Sequence, residues 1–318
     1  RTPESQRMIV CFDIGGTAIK GAVAYSADDI RPFPRHPTPI HDFDAFVATL
    51  ASVIAEAGAR PDCVAISIAG VIDPDTSNAV VANIPCIHGR PLQADLEQCL
   101  GLPVIIANDA DCFVLAEASI GAAKGHRVVF GIILGTGVGG GLVIDGKLIN
   151  SDGGFAGEWG HGPISATEAG DPPARIPRFQ CGCGQKGCID AICSARGLEK
   201  LHQHLHGEAL TSEEILSDWQ KGDPLAERTI DVYVDIIADP LALVINLTGT
   251  TILPVGGGLS NVPALISAID TTVRTRILRR FEKPIVIPAE CRVEPGLIGA
   301  AVLGLSAARD MGSRLRTI

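Results

Sequence analysis

The sequence predicts an α/β protein of two domains with mixed sheets, on three observations. Strand-like and helix-like segments alternate along the 318 residues. A strand, a glycine turn and a returning strand occur twice, with the turns beginning at Gly15 and Gly135. Hydrophobic residues make up 46% of the chain, which is enough to fill two cores. The repeated unit indicates two similarly built domains that face one cleft.

Turn residues and hydrophobic periodicity give the predicted elements of the first half in order. Apolar runs bounded by glycine indicate strands, and apolar residues at helical spacing indicate helices. The predicted segments are a strand over 8–14, a glycine turn at 15–17, a returning strand over 19–25, a helix over 43–57, buried strands over 63–68 and 104–107, a helix from Pro91 to about Leu100, and a helix capped by Asp109 that runs to about Gly121.

The same patterns continue through the second half. The predicted segments are a strand over 128–134, a turn at 135–141, a returning strand over 142–145, a mainly helical region over 195–248 that Pro240 kinks or breaks, a strand over 251–255, a turn at 256–258, a helix to about 278 and a final helix over 296–308. The predicted domains are a small N-terminal α/β domain (8–122), a larger C-terminal α/β domain (123–295) and a C-terminal helix (296–312) that packs back on the small domain.

Composition excludes several classes of function. A net charge of -10 and an aromatic content of 4% argue against nucleic-acid binding, which needs a basic face or stacking platforms. No apolar run reaches the roughly 18 residues of a membrane span, and the polar start lacks the apolar core of a signal peptide. Half of the ten cysteines stand singly in apolar runs, as buried reduced thiols do. We therefore expect a cytoplasmic protein with no nucleic-acid or membrane partner. The role of residues 1–7 stays open.

Three glycine turns, at 15–17, 135–141 and 256–258, are candidate phosphate sites, because glycine lets backbone N–H groups approach phosphate oxygens closely. For any one turn alone, a plain connection between strands is the better interpretation. None of them is a Walker loop, and none has the strand-to-helix context of a dinucleotide fold. Two of them at matching places in a repeated unit nevertheless favour a nucleotide bound between two domains.

Two acidic positions follow predicted strands. Asp13 stands just before the first glycine pair, where a carboxylate can hold Mg²⁺ near phosphate or simply cap the turn.

Asn108 and Asp109 follow a buried strand and precede a helix, a place where α/β proteins carry out chemistry. Asp109 fits a general base that accepts a hydroxyl proton, and Asn108 fits a ligand of a sugar hydroxyl. An ordinary helix cap is the alternative for this pair, and Asp111 and Glu117 are rival carboxylates further along the helix.

His161 and the cysteines of the segment CGCGQKGC (181–188) form a candidate metal site. Three thiolates and one imidazole make a closed tetrahedral set for Zn²⁺. The spacing differs from that of common zinc fingers, but the glycines between the cysteines allow a tight loop. Cys193 is an alternative fourth ligand, unless a helix beginning near residue 189 carries its side chain away. Four reduced thiols without a metal are the other interpretation, and a disulfide is not expected in a reducing compartment.

Taken together, these motifs resemble those of the ROK sugar kinases, within the two-domain actin/hexokinase-like (ribonuclease H-like) fold. The matching pieces cover nearly the whole chain and are DIGGT (13–17), Asn108 with Asp109, LGTGVGGG (134–141), GEWGH (157–161), the cysteines of 181–188 and GGGLS (256–260). Within the family, the segments VANIP (81–85), GRPLQAD (89–95), NDADCF (108–113) and GGLSN (257–261) are most similar to those of bacterial N-acetyl-D-glucosamine kinases.

The resemblance implies ATP-dependent phosphorylation of a hexose 6-hydroxyl, with N-acetyl-D-glucosamine as the expected sugar. It implies Mg²⁺ with the ATP, a structural Zn²⁺ and a homodimer. Asp109 would be the general base. The implied ligands of the sugar are Gly70, Asn83, Asn108, Asp109, Glu158, His161 and Asp190. Those of ATP are Asp13, Gly15, Gly16, Thr17, Gly135, Thr136, Gly137, Gly139, Gly140, Gly256, Gly257 and Gly258. Those of zinc are His161, Cys181, Cys183 and Cys188.

The chain departs from the family pattern at two positions. Asp190 stands where the family usually has a glutamate that contacts the sugar, and its carboxylate reaches about one methylene less far. Ala18 stands where the first phosphate loop commonly has lysine, with Lys20 two residues on. These departures put that sugar contact and the affinity for ATP in question.

Three other functions are compatible with the resemblance. A kinase for N-acetylmannosamine, glucose, fructose or allose would share the catalytic parts. A sugar-sensing repressor of the family would carry a helix-turn-helix domain before the first glycine motif, and only seven residues precede Met8 here. A non-catalytic sugar-binding module is disfavoured by Asp13, Asn108, Asp109 and both phosphate turns.

Overall fold

The computed structural model describes residues 7–314, with side chains to residue 310. Residues 1–6 of the N-terminal segment lie outside this described part. The described residues divide into two compact units: unit 1 comprises residues 7–124, 146–156 and 291–314, and unit 2 comprises residues 125–145 and 157–290. The predicted α/β class is confirmed. Residues 146–156, which the predicted boundaries assign to the C-terminal domain, group with unit 1, where the Asn150 side chain donates to Asp111 at 3.0 Å.

The described residues form the following elements in chain order. The strands are β1 (Ile9–Ile14), β2 (Ala18–Ser26), β3 (Asp29–Pro32), β4 (His36–Pro37), β5 (Val64–Ile68), β6 (Val71–Ile72), β7 (Ala79–Val80), β8 (Val104–Asn108), β9 (Val128–Leu134), β10 (Val138–Ile144), β11 (Lys147–Leu148), β12 (Glu168–Ala169), β13 (Ala174–Arg175), β14 (Leu253–Gly256) and β15 (Val286–Pro288). The helices are α1 (Phe43–Glu56), α2 (Leu92–Leu100), α3 (Asp109–Ser119), α4 (Asp190–Cys193), α5 (Ala195–His206), α6 (Ser212–Gln220), α7 (Pro224–Thr248), α8 (Pro263–Arg276) and α9 (Pro295–Arg314).

Unit 1 is built on a mixed sheet in the order β3-β2-β1-β5-β8, with β4 paired to β2. Strand β1 is antiparallel to β2 and parallel to β5, which is parallel to β8. Every residue of β5 is buried, as its continuous apolar run predicts for a strand covered on both faces. Helix α9 approaches this sheet closely: a Cβ on Gly304 would lie 2.6 Å from Ile9 and 2.8 Å from Ala65. This parallel arrangement puts the carboxyl ends of β1, β5 and β8 at one edge.

Unit 2 has a second mixed sheet, in which β10, β9, β14 and β15 are neighbours in that order. Its helical part is the predicted region 195–248, now resolved into α5, α6 and α7. Of the two effects predicted for Pro240, a kink or a break, the break is wrong, because α7 continues through this residue to Thr248. Pro240 removes a single backbone hydrogen bond, and the wholly buried Ile237 and Leu241 anchor the helix on both sides of it. No helix in the described ranges is long and apolar enough to span a membrane.

Candidate active site

The first glycine turn joins β1 to β2 in unit 1 and has a charged pair at its base. Asp13 stands opposite Lys20 in the hairpin, and its Oδ2 accepts from Lys20 Nζ at 3.1 Å. Its Oδ1 accepts from Ser67 Oγ on β5 at 3.1 Å. The turn is closed by the Gly15 N–H, which donates to the Ala18 carbonyl at 3.1 Å. Asp13 therefore sits at the strand end that the sequence predicts, with its carboxylate held on both sides.

Lys20 and Glu294 are members of this site that sequence reasoning did not assign. Lys20 Nζ lies 2.7 Å from Glu294 Oε2, and Arg35 also pairs with Glu294. Burial lowers the pKa of Lys20, but its bonds to Glu294 and Asp13 outweigh this and raise the pKa above the ordinary value. The hairpin register alone was a usable signal for Lys20, because any turn that closes at Ile14 and Ile19 places residue 20 opposite Asp13.

Asn108 ends β8, and its side chain makes two structural bonds. Its Oδ1 accepts from the Ala110 N–H at 2.8 Å, and its Nδ2 donates to the Gly70 carbonyl at 2.8 Å. The predicted cap at Asp109 is therefore wrong: Asn108 is the N-cap, and Asp109 is the first residue of α3. Asp109 is exposed, and its Oδ1 also accepts from the Ala110 N–H at 2.9 Å. An exposed carboxylate thus follows the end of a buried parallel strand.

The two rival carboxylates on α3 are buried and bonded to the protein. Asp111 is 3% exposed and accepts from Asn150. Glu117 is wholly buried and accepts from the backbone N–H groups of Ala122 and Cys291, at 2.8 and 2.6 Å. Because both side chains face the interior of unit 1, Asp109 is the accessible carboxylate of the three.

Gly16 and Gly70 bring further predicted residues to this part of unit 1. A Cβ on Gly16 would lie 3.0 Å from the Cβ of the exposed Asn83. A Cβ on Gly70 would lie 2.6 Å from the Val80 carbonyl. Only glycine therefore leaves room at position 70 for the backbone of the segment that leads to Asn83. Gly16 is thus next to Asn83, and Gly70 binds Asn108.

The second glycine turn joins β9 to β10 in unit 2, and both side chains and backbone of other segments pack closely against it. Its ends pair at Leu134 and Val138, so the turn is 135–137, and residues 138–141, which the sequence predicts as turn, are the beginning of β10. The Trp159 indole N–H donates to the Gly139 carbonyl at 3.0 Å, and a Cβ on Gly140 would lie 2.8 Å from the Trp159 ring. The third turn lies against the base of the second, since a Cβ on Gly257 would be 2.4 Å from the Leu134 carbonyl. Strand β14 brings this turn there by running parallel to β9.

The Cys/His cluster, defined by His161, Cys181, Cys183 and Cys188, is assembled in unit 2, with all ligand atoms within 4.8 Å of one another. The Cys183 and Cys188 sulfurs are 3.6 Å apart, and Cys181 Sγ is 3.7 Å from His161 Nδ1. A tetrahedral zinc ion with bonds of about 2.3 Å to sulfur separates its ligands by about 3.8 Å, so the four residues fit the ion. Cys193 is not part of the cluster and is buried in α4, as the expected helix at this point implies.

The thiols of this cluster differ in acidity. A hydrogen bond from the backbone N–H of Gln185 lowers the pKa of Cys183 to about 7. Burial raises the pKa of Cys181 to about 12. The thiolate is the form that binds metal, so Cys183 is prepared for a cation, whereas Cys181 needs one nearby to lose its proton.

His161 divides its two ring nitrogens between the cluster and Glu158. Nδ1 faces the cysteines, while Nε2 lies 3.8 Å from Glu158 Oε2, and the His161 N–H donates to the Glu158 carbonyl at 3.1 Å. This is the arrangement expected of a ligand whose metal-bound ring orients its second nitrogen. Asp190 lies nearby with its Oδ1 bonded to the Val138 N–H, so its expected contact with sugar stays a prediction.

Comparisons with known proteins agree with these features. The ROK family model matches residues 9–307. An N-acetyl-D-glucosamine kinase from Pectobacterium atrosepticum is 37% identical over 298 residues, which is 92% of this chain and 98% of that protein. An N-acetylgalactosamine kinase from Shewanella is also 37% identical, over 92% of this chain and 95% of that protein. The chain belongs to the ROK family.

Solved structures place the fold in the same group. The ROK hexokinase from Thermus thermophilus superposes with a TM-score of 0.81 at 28% identity, over 95% of this chain and 99% of that one. A ROK glucokinase from Streptomyces griseus, solved with glucose and AMPPNP, gives a TM-score of 0.69 at 27% identity, over 94% of this chain and 99% of that one. The hexokinase-like fold expected from the resemblance is confirmed, and the enzyme class of this chain is that of the ATP-dependent sugar kinases.

Proposed function

We propose that this kinase transfers the terminal phosphoryl group of ATP to the 6-hydroxyl of N-acetyl-D-glucosamine, with Asp109 as the general base. The observation that carries the proposal is the exposed Asp109 carboxylate at the end of β8, where Asn108 acts as the helix cap. A carboxylate in that position can accept the proton of an attacking hydroxyl. In phosphoryl transfer, the remaining work of the protein is to position groups and stabilise charge.

The glycine turns supply the proposed nucleotide contacts. In unit 2, the turns at 135–141 and 256–258 lie side by side, which supports a role in holding phosphate and adenosine together. In unit 1, the turn at 15–17 follows Asp13, whose carboxylate would bind Mg²⁺ or its waters. Lys20, two residues after Ala18, would supply positive charge at the same place, where it pairs with Asp13.

The sugar contacts are proposed for the polar groups near these turns. In unit 1 they are Gly70, Asn83, Asn108 and Asp109, and in unit 2 they are Glu158 and His161. The family pattern also implies a sugar contact by Asp190, but its Oδ1 is bonded to the Val138 N–H. The zinc ion would be held by His161, Cys181, Cys183 and Cys188, and its effect on chemistry would be to fix the ring of His161. Elemental analysis checks the metal: about one zinc per chain supports the set, and protein that lacks bound metal contradicts it.

Two observations favour N-acetyl-D-glucosamine without deciding the sugar. The first is the 37% identity to the Pectobacterium enzyme of that name. The second is the resemblance of the segments VANIP (81–85) and NDADCF (108–113) to those of bacterial N-acetyl-D-glucosamine kinases. The equally similar N-acetylgalactosamine kinase makes that sugar a second candidate, which differs only at the 4-hydroxyl. The replacement of a glutamate by Asp190 keeps kinases for N-acetylmannosamine, glucose, fructose or allose in the comparison.

The test is a coupled ADP-release assay with Mg-ATP over these six sugars. We expect the highest kcat/KM with N-acetylglucosamine. A higher kcat/KM with any one of the other five sugars would refute N-acetylglucosamine as the preferred substrate. Asp109→Asn should lower kcat by about 10²–10⁴-fold while sugar binding stays measurable, because only proton transfer is removed. Asp152→Asn, at an exposed position of unit 1, is the matched control and should keep wild-type activity. Comparable turnover in Asp109→Asn would show that another group is the base.

A further inference from the structure

Asp190 touches both the Cys/His cluster and the second glycine turn of unit 2. It is the first residue of α4, and its backbone N–H donates to the Gly160 carbonyl at 2.9 Å. Its Oδ1 accepts from the N–H of Val138, the residue that closes the turn, at 2.8 Å. Its Oδ2 lies 3.4 Å from Cys181 Sγ. Asp190 therefore joins the turn, through its carboxylate, to the residue before the cluster ligand His161, through its backbone N–H.

We propose that Asp190 is a positioning residue that fixes the second glycine turn against the Cys/His cluster, and that it governs nucleotide binding rather than sugar binding. The inference rests on the proposed function, because it takes the turn at 135–141 as a phosphate site. It differs from the role that the family resemblance implies for this position, which is a contact with sugar.

The turn needs such a support because it has few side chains of its own. Between Leu134 and Val138 it consists of Gly135, Thr136 and Gly137, and glycine loses more conformational freedom on ordering than any other residue. Backbone N–H groups bind phosphate well only when their directions are fixed beforehand. A carboxylate that accepts from a backbone N–H is among the stronger hydrogen bonds in proteins, and this one holds the end of the turn.

The length of the side chain matches this task. A Cβ on Gly137 would lie 3.0 Å from Asp190 Oδ1, so the carboxylate already fits closely against the turn. A glutamate on the same backbone would carry its oxygens roughly 1.5 Å further. It would have to displace the turn or leave the Val138 N–H, and in either case the present bond would be lost. The shorter aspartate therefore favours the turn over a more distant sugar.

Equilibrium titrations on the full chain separate the two roles. The binding of Mg-AMPPNP and of N-acetylglucosamine is measured calorimetrically for wild type, Asp190→Ala, Asp190→Asn and Asp190→Glu. We expect Asp190→Ala to weaken AMPPNP binding about 10-fold, as loss of a charged hydrogen bond does, with sugar affinity within about twofold. Asp190→Asn should lose less affinity than Asp190→Ala, because its amide oxygen can still accept from Val138, although without the charge. Asp190→Glu should resemble Asp190→Ala.

Several controls isolate the effect on the turn. Glu208→Ala, at an exposed position between α5 and α6, should bind both ligands as wild type does. Zinc content is measured for each variant, so that a loss of metal is not mistaken for a loss of the bond. Hydrogen exchange of the Val138 amide should be faster in Asp190→Ala and Asp190→Glu than in wild type, and it should change least in Asp190→Asn. This readout does not depend on nucleotide.

The outcomes decide the proposal in each case. Weaker sugar binding with unchanged AMPPNP binding overturns it and assigns Asp190 to the sugar. Unchanged affinities for both ligands, with unchanged exchange at Val138, overturn it as well. If wild type binds no nucleotide, the proposed function fails, and the exchange of Val138 still decides whether Asp190 holds the turn. If Asp190→Ala does not fold, the contrast between Asp190→Asn and Asp190→Glu takes its place.

Discussion

The hairpins β1–β2 and β9–β10 have nearly the same build but hold their glycine turns in different ways. In the first, Asp13 stands opposite Lys20, one residue before the pair that closes the turn. At the matching place in the second, Ile133 stands opposite Gly139. The first turn thus has charge in its own strands, whereas the second is uncharged and is contacted by residues from other segments.

The same hairpin motif is therefore stabilised by ion pairs in unit 1, and by close packing with one hydrogen bond in unit 2. The ion pairs of Lys20 with Asp13 and Glu294 are electrostatic, so they respond to Mg²⁺, salt and pH. The second turn depends on close packing by Trp159 and on the Asp190 hydrogen bond. The stability of a closely packed turn is sensitive to added side-chain volume rather than to salt or pH. Substitutions in the two hairpins should therefore differ in size and in their dependence on conditions.

The largest expected effect comes from removing the charge of the first hairpin. Asp13→Asn should lower kcat on the order of 10²-fold and raise the Mg²⁺ concentration needed for half-maximal rate, because an amide binds the cation less well than a carboxylate. The measurement is ADP release over a series of Mg²⁺ concentrations.

Its matched control lies in the second hairpin. Ile133→Val removes one methylene at the position that corresponds to Asp13 and leaves charge unchanged, so its Mg²⁺ dependence should equal that of wild type. If Asp13→Asn shows the wild-type rate and Mg²⁺ dependence, the first hairpin has no role in metal binding.

A smaller effect is expected from adding volume to the second turn. Gly140→Ala should destabilise the protein by about 1–3 kcal/mol, because the new methyl would meet the Trp159 ring at 2.8 Å and the Gly157 carbonyl at 3.0 Å. Gly15→Ala in the first turn is the control, since its nearest contact would be Ala18 O at 4.0 Å, and its cost should stay within about 0.5 kcal/mol. Urea unfolding measures both, and equal losses would remove the distinction between the turns.

The sequence predicts both hairpins well but not what holds them. The turn at 15–17, the start of the second turn at Gly135 and the strand ends at Asp13 and Asn108 follow from local signals, because glycine and apolar runs act over a few residues. The predicted end of the second turn is wrong, because glycines 139–141 pair within β10. Glu294 lies far from Lys20 in the chain, and only the folded path of the segment before α9 brings the two together. The Asp190 bond to Val138 was missed for the same reason. The cap at Asn108 was misjudged because both Asn and Asp are good caps, and backbone geometry decides between them.

The smallest expected effect is that of Lys20→Met on the free energy of unfolding. Its dependence on pH and salt distinguishes the ion pairs of the first hairpin from the packing of the second. Lys20→Met removes both ion pairs, whose side chains are 20–29% exposed, and should cost about 1 kcal/mol or less. The folded state raises the pKa of Lys20 above its ordinary 10.5, so this stabilisation is present at neutral pH and is lost as the pH rises through the folded pKa. In urea unfolding, the difference between wild type and Lys20→Met should therefore shrink at high salt and above about pH 10.5. The difference for Gly140→Ala should stay constant under both changes, because steric overlap does not depend on charge. A Lys20→Met difference that is equally constant would show that packing of the lysine stem, and not its charge, stabilises the first hairpin.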